Sequence, residues 1–466
     1  MSPFLAQGKF HIVYTLKYIR YGLFLSLVPL ANALFSWDWE AFSLALQQDI
    51  LILIIMALAS VLMWQRAGFQ VSKAGLTLRS GLFVSRQLTL RSGEIAALTL
   101  ERPLILRLLG CTRVQLYGTT TAHFKKLQCY LPRRQADALA ECLLPSQSDA
   151  TFYAPSGVER IRFTMLSVNL ITTAALVYFS AQQTQKILGK NLGQELSQLA
   201  MSNLARIERL AELVLPAGMA WLFTLLFTLG GVALFWSLLS TTNFRVGRNG
   251  GVIHAKGGFI NHSDQRILAS AVSYCDIRTT PFARLLRCYP VYLTAGSYTS
   301  PLPLIMYKKG YENLLEALMP GFKPPPSKVV RLASDRSLPL FIWKGGVCFL
   351  LCAALAGVSM WKLPDWTPIF CVPCLLSLGL MAVAVEGWLR EGIFQHKNGP
   401  LSLCFTRLFT RHDLCLFTQD ICLTVRQSPF AQTVARCNLV IGLPSRRRIR
   451  VRAIKCYQAD CIRLSS

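Results

Sequence analysis

The sequence predicts a multi-domain membrane protein. Six transmembrane α-helices form three hairpins, and each hairpin is followed by a small cytoplasmic β-rich domain closed by a helix. Three observations predict this class: a pattern that recurs three times, apolar residues gathered into six runs, and basic residues gathered between the paired runs.

The recurrence is clearest around a proline. Arg102-Pro103-Leu104 leads to Cys111 and the run Val114-Gln115-Leu116-Tyr117-Gly118. Thr280-Pro281-Phe282-Ala283 leads to Cys288 and Val291-Tyr292-Leu293-Thr294-Ala295-Gly296, and Ser428-Pro429-Phe430-Ala431 leads to Cys437 and Leu439-Val440-Ile441-Gly442. The Pro-to-Cys spacing is eight, seven and eight residues. Gly68-Phe69-Gln70-Val71, Asn243-Phe244-Arg245-Val246 and Ile393-Phe394-Gln395-His396 open the three copies. An internal repeat sets the architecture before any single element does.

Composition places the copies at a membrane. Apolar residues make up 53% of the chain and charged ones 15%, too few charges for an ordinary soluble protein. Runs near residues 19–36, 48–64, 163–181, 214–239, 341–361 and 368–389 are each long enough to cross a hydrocarbon core at about 1.5 Å per residue. The first is read as a membrane helix rather than a cleavable signal, because it lacks a small-residue cleavage site and leads into a second apolar run. The expected division is residues 1–64 for the N-terminal segment and first hairpin and 65–150 for the first β-domain. Residues 151–240 form the second hairpin and 241–336 the second β-domain. Residues 337–389 form the third hairpin and 390–466 the third β-domain.

Charge gives the orientation. Residues 65–150 carry 12 Lys and Arg against 5 Asp and Glu, residues 241–336 carry 13 against 5, and residues 390–466 carry 13 against 4. These excesses supply almost all of the net charge of +26. Basic loops stay cytoplasmic, so the three domains and the N-terminus are expected there. The connection 182–213 is then extracytoplasmic, and its spacing of apolar residues from Ile187 to Leu210 fits an amphipathic helix on the membrane or a hairpin projecting from it.

Each domain reads as short strands followed by one helix. Leu76 to Leu90 alternates around Gly81 like a hairpin, Ile95 to Leu100 adds a strand, and Arg134 to Glu141 is helical. The later copies repeat this and end on helical signals at Tyr311–Leu318 and Tyr457–Ile462. Seven or so strands with one helix make a small barrel or sandwich whose open end the helix covers.

Chemistry-bearing motifs are missing. No Gly-rich phosphate loop, Gly-x-Ser-x-Gly elbow or His-Glu-x-x-His occurs. The fifteen cysteines lie mostly on apolar strands and membrane helices, where Cys acts as a small hydrophobe. Cys371 and Cys374 form a Cys-x-x-Cys pair inside an apolar run without the context of a redox fold. The six histidines show no metal-ligand spacing. No catalytic residue, metal or cofactor is expected. Glu386 is the main ionisable residue in the apolar runs and reads as snorkelling to the interface.

The candidate binding residues are basic. Arg446, Arg447, Arg448, Arg450 and Arg452 form the densest cluster, with Arg448, Arg450 and Arg452 on one face of a strand. Lys125, Lys126, Arg133 and Arg134, then Lys308 and Lys309, follow. Each such residue near an anionic bilayer contributes on the order of 1 kcal/mol. Aromatics are not interleaved on a basic platform, so nucleic acid is not an expected partner.

The hairpin, the β-rich domain, the Pro-Phe-Ala turn, the strand ending in Tyr117-Gly118 or Ala295-Gly296, and the closing helix resemble the bacterial pleckstrin-homology (PH) domain membrane proteins. The three-copy order is similar to the longer member of the paired bacterial PH-domain membrane proteins. The resemblance implies a PH-like split β-barrel capped by a C-terminal helix in each copy, and no established catalytic residues. It also implies association with a shorter PH-domain membrane protein and a link to envelope stress or antimicrobial resistance. The third copy departs from the pattern where Pro444-Ser445-Arg446-Arg447-Arg448 replaces Gly-rich turn positions. The expected function is a non-enzymatic inner-membrane scaffold or adaptor, with a transport or flippase-like subunit as the alternative. Its expected partners are anionic lipid headgroups, the shorter PH-domain protein and a second copy of the chain.

Overall fold

A computed structural model describes residues 4–16, 39–72, 75–81, 85–119, 126–145, 151–167, 241–308, 310–322, 338–362, 367–395, 400–407, 410–417, 421–443 and 448–455, with a few single positions between 19 and 239. The chain divides into two compact units. One holds residues 1–152, 243–272 and 294–299, and the other holds 153–242, 273–293 and 300–466.

In the first unit β1 (Phe4–Lys9) precedes helix α1 (Trp39–Arg66), which delivers the chain to the antiparallel meander β2 (Gly68–Ser72), β3 (Gly75–Ser80) and β4 (Arg86–Arg91). Period-2 patterning makes these strands one-sided: Phe69, Val71, Leu76, Leu78 and Leu90 point inward and are buried. The N-terminal strand β1 extends the sheet on β2, and Trp64 Nε1 donates to the carbonyl of Phe10 at 2.6 Å.

A second sheet begins with β5 (Ile95–Pro103). The short helix α2 (Leu104–Leu108), β6 (Cys111–Gly118), β7 (Lys126–Pro132) and helix α3 (Arg133–Leu143) follow. Helix α3 buries Ala136, Leu139 and Ala140 in the same core as Leu98, Leu116 and Leu131. Beyond β8 (Thr151–Tyr153) and helix α4 (Gly157–Ser167), the chain returns as β9 (Arg245–Asn249), β10 (Val252–Gly257) and β11 (Asn261–Leu268). Strand β11 belongs to the second repeat, yet it pairs antiparallel with β5 of the first, from Asn261 opposite Pro103 to Ile267 opposite Ala97. The opening strands of one copy thus continue the sheet of the copy before it.

The second unit repeats the device. It contains β12 (Val272–Thr279), helix α5 (Pro281–Leu285) and most of β13 (Tyr289–Ala295). The end of β13 and β14 (Tyr298–Thr299) form a tip that belongs to the first unit. There Gly296 has φ +52, and a Cβ on it would lie 2.4 Å from the Gly118 carbonyl oxygen, so only glycine fits. The backbone N–H of Ser297 and its hydroxyl both donate to that oxygen.

The second unit continues with β15 (Ile305–Tyr307), helix α6 (Glu312–Leu318), and the two long helices α7 (Pro339–Lys362) and α8 (Thr367–Arg390), which pack together. It then carries β16 (Gly392–Gln395), β17 (Leu401–Arg407) and β18 (Thr410–Leu416). Strand β18 of the third copy pairs with β12 of the second, from Tyr274 opposite Leu416 to Thr279 opposite Arg411. A separate three-stranded sheet holds β19 (Cys422–Arg426), β20 (Arg436–Gly442) and β21 (Arg448–Lys455), with helix α9 (Pro429–Gln432) between its first two strands.

Among the described residues three helices are long and apolar enough to cross a membrane, at Asp49–Arg66, Pro339–Trp361 and Pro373–Arg390. The runs expected at 19–36, 163–181 and 214–239 and the connection 182–213 lie largely outside the described residues. So does the third terminal helix expected at 457–462. Cys371 and Cys374 lie in α8, which contains Pro373.

Candidate functional site

The proline repeats of the second and third copies form one local device. Thr280 and Ser428 are N-caps whose hydroxyls accept from the N–H of Ala283 and Ala431, with Pro281 and Pro429 at the first helical position. The cap turns an ended strand into a short helix that faces outward. In α5 this leaves Leu285 76% exposed beside exposed Phe282, and in α2, which follows Pro103 without a side-chain cap, Ile105 is 71% and Leu108 85% exposed.

Register shows where these apolar helices lie. In the second unit α8 ends at Arg390, and β16 pairs with β17 from Gly392 opposite Cys404. Strand β17 turns at Arg407 opposite Thr410, and Arg411 faces Thr279 immediately before α5. Helix α5 therefore sits at the sheet end where α8 enters. Arg284 of α5 donates to Glu386 of α8, which also lies 3.8 Å from Arg390 and 4.0 Å from Arg411. Glu386, expected to snorkel, is the carboxylate that three arginines share. In the first unit Arg245, where β9 begins, faces Lys256, and Asn261 faces Pro103 just before α2. Exposed Phe259 stands on the same hairpin, and its carbonyl accepts from Arg107.

The paired sheets carry polar networks that sequence inspection passed over. In the first unit Asp264 Oδ1 lies 2.6 Å from His254 Nε2, and the buried Arg266 donates to Glu141 at 2.7 Å and to the Leu144 carbonyl at 2.8 Å. A strand of the second copy thus holds the end of the first copy's helix α3. Burial favours the neutral form of Asp264, but the His254 hydrogen bond and the adjacent cations outweigh it and hold its carboxyl below the ordinary range. Tyr298 donates to Gln265 at 2.7 Å with its ring edge-on to Tyr117.

In the second unit Asp276 is 1% exposed and crosses to the partner strand through His412 Nδ1 at 3.0 Å, while Arg278 Nε donates to it at 2.9 Å. Burial pushes against its charge, and His412 and Arg278 more than offset that, leaving its pKa lowered. The Phe405 ring stacks on His412 at 4.9 Å, and Arg278 lies over the Tyr292 ring at 3.8 Å. Among the described residues no group of three His, Cys, Asp or Glu side chains could hold a metal. The signal available in sequence was an Asp set between the apolar residues Tyr274, Cys275 and Ile277, with Arg278 two positions on.

The basic candidates do not form one site. Lys126 opens β7, exposed, with Nζ 5.4 Å from the Tyr117 ring centroid; desolvation lowers its pKa. Arg133 and Arg134 are the exposed first residues of α3, a helix end where cations lower stability, so capping does not explain them. Lys308 has an internal partner. It donates to Glu159, the N3 residue of a capping box with Ser156 at the start of α4. Arg448 and Arg450 are exposed on β21 between buried Ile449 and Val451, the alternation expected of a one-sided strand. Arg452 is on the same strand. Lys125, Lys309, Arg446 and Arg447 lie outside the described residues.

Antiparallel sheets with short capped helices between strands, strung after long apolar helices, define β-sheet domains consistent with PH-like folds. Residues 23–147 match the bacterial PH domain family, and the chain carries such a domain there. No curated protein and no solved structure matches the chain.

Proposed function

We propose that the chain is a non-enzymatic scaffold of the bacterial inner membrane. Six spans in three hairpins hold three PH-like domains and the N-terminus at the cytoplasmic face, and the scaffold assembles with a shorter PH-domain membrane protein. Envelope stress or antimicrobial resistance is the setting the family resemblance implies. The observation that carries the reading is the joint between α5 and α8. Arg284 and Glu386 fasten an outward-facing apolar helix to the end of an apolar helix long enough to span a membrane. On this reading Phe282 and Leu285 sit at the bilayer interface, where burying such a side chain contributes about 1.5–3 kcal/mol. The basic residues of the domains then face anionic headgroups.

Purification of the full chain in mild detergent, with mass spectrometry of the proteins and lipids that accompany it, tests the reading. A stoichiometric membrane protein with its own PH-like domain supports the scaffold. A chain that comes alone with a defined lipid or transported solute would replace it with a transport role.

The apolar helices have their own test. In vesicles containing a diazirine-bearing phospholipid, light should label peptides spanning residues 104–109 and 282–286. Leu108→Glu and Leu285→Glu should each reduce labelling of their own peptide by about tenfold, since a charged side chain costs more than 1.4 kcal/mol to hold in apolar lipid. Labelling confined to the long helices would remove these segments from the membrane.

A further inference from the structure

Among the described residues, the strand of the third copy that corresponds to β5 and β12 has no opening strand of another copy beside it. The N-caps Pro103, Thr280 and Ser428 align β5, β12 and β19. Strands β5 and β12 each receive an opening strand of the following copy and are buried almost throughout. Strand β19 is paired with β20 on one side and, among the described residues, with no strand on the other. Cys422, Thr424, Val425 and Arg426 on it are exposed. A strand that ends its sheet among the described residues and carries an exposed valine is a template for strand addition.

Charge states what the incoming strand must carry. Counted back from the caps, Arg426 occupies the position of Arg278, and Thr424 occupies that of Asp276. In the completed pairing Asp276 neutralises Arg278 from the same strand. In β19 that carboxylate is replaced by a threonine, so among the described residues Arg426 has no counterpart of Asp276, and an Asp or Glu on an added strand would restore the charge-assisted pair. A second copy of this chain would present β4, the end strand of its first sheet among the described residues, which carries Arg86 and Arg91 and no acidic residue. Self-pairing would therefore bring together only positive charge.

We infer that the β19 edge, Cys422–Arg426, is the docking site for an acidic edge strand of a different PH-like protein, which adds antiparallel and sets an Asp or Glu against Arg426. This rests on the scaffold reading and adds to it the place of contact and the chemistry of the partner.

The test uses the full chain in its native membrane, with a photo-crosslinking amino acid in place of Val425. The cross-linked peptide is sequenced by mass spectrometry. The expected adduct is a strand segment containing Asp or Glu from another membrane protein with PH-like strands. Arg426→Glu should lower its yield about tenfold, the loss of roughly 1.4 kcal/mol of binding, and Arg426→Lys should retain most of it. Arg426 is exposed, so the thermal unfolding of both variants should match that of the parent chain, which separates lost docking from lost folding. An adduct containing Arg86–Arg91 of a second copy, an adduct with lipid alone, no adduct, or a yield indifferent to Arg426→Glu overturns the inference. A stoichiometric partner that copurifies without cross-linking at residue 425 overturns this site and leaves the scaffold reading standing. A chain that purifies alone removes both.

Discussion

Replacing Asp276 with alanine should destabilise its unit by about 3–5 kcal/mol, because the change leaves Arg278 and His412 without the buried carboxylate that both share. For a unit of this size that corresponds to a fall in Tm on the order of 10 °C. The interaction lies inside the sheet that joins two copies, with Asp276 on β12 and His412 on β18, so solvent screens it little. Acid should imitate the substitution. The folded pKa of Asp276 is lowered, so its contribution is complete above the unfolded carboxyl pKa of about 4 and is lost as the pH falls through the lower folded value. Unfolding of the parent chain in detergent, followed by circular dichroism from pH 6 to pH 3, should show a loss of stability below about pH 4 that Asp276→Ala shows in weaker form. A variant with the parent's stability at neutral pH would show that the network contributes nothing to the joint.

Arg266→Met should cost about 2–3 kcal/mol and should act at a distance in sequence. The side chain belongs to β11, but it donates to Glu141 and to the carbonyl of Leu144, the residue that ends α3. Glu141 is half exposed, so the ion pair itself contributes little. The larger loss is the charge-assisted bond to a helix-terminal carbonyl and the second cation beside Asp264. Hydrogen exchange should therefore accelerate at residues 140–144, more than a hundred residues before the substitution. Arg266→Lys should restore only part of the protection, because one ammonium cannot reproduce the two-pronged contact. Exchange that accelerates only within β11 would sink this account.

Much of the fold was legible in the sequence because its determinants are local. The proline repeats marked the turn that leads into β6, β13 and β20, alternation put Arg448 and Arg450 on one face of β21, and apolar length found α1, α7 and α8. What escaped depends on encounters between distant segments. Nothing in Asn261–Leu268 alone states that it will pair with the previous copy rather than with its own. Lys308 reads as a free surface cation until Glu159, 149 residues earlier, is seen beside it. Glu386 reads as an interfacial carboxylate until Arg284 and Arg411 arrive from two other elements. The N-terminal strand Phe4–Lys9 escaped for a different reason. Its sequence points only to a cytoplasmic N-terminus before an apolar run, whereas Phe10 and Tyr14 behind it are buried against the first sheet.

The pairing of β5 with β11 also orders events on the ribosome. Glu141 is translated 125 residues before the Arg266 that binds it. At roughly 5–20 residues per second that interval lasts about 6–25 seconds. For that time the outer edge of β5 is bare, and a nascent chain with a bare edge is exposed to mispairing. The second pair of apolar runs is translated within the same interval. A stall before β11 emerges would therefore leave the first sheet half closed, with β5 uncovered and Glu141 without Arg266.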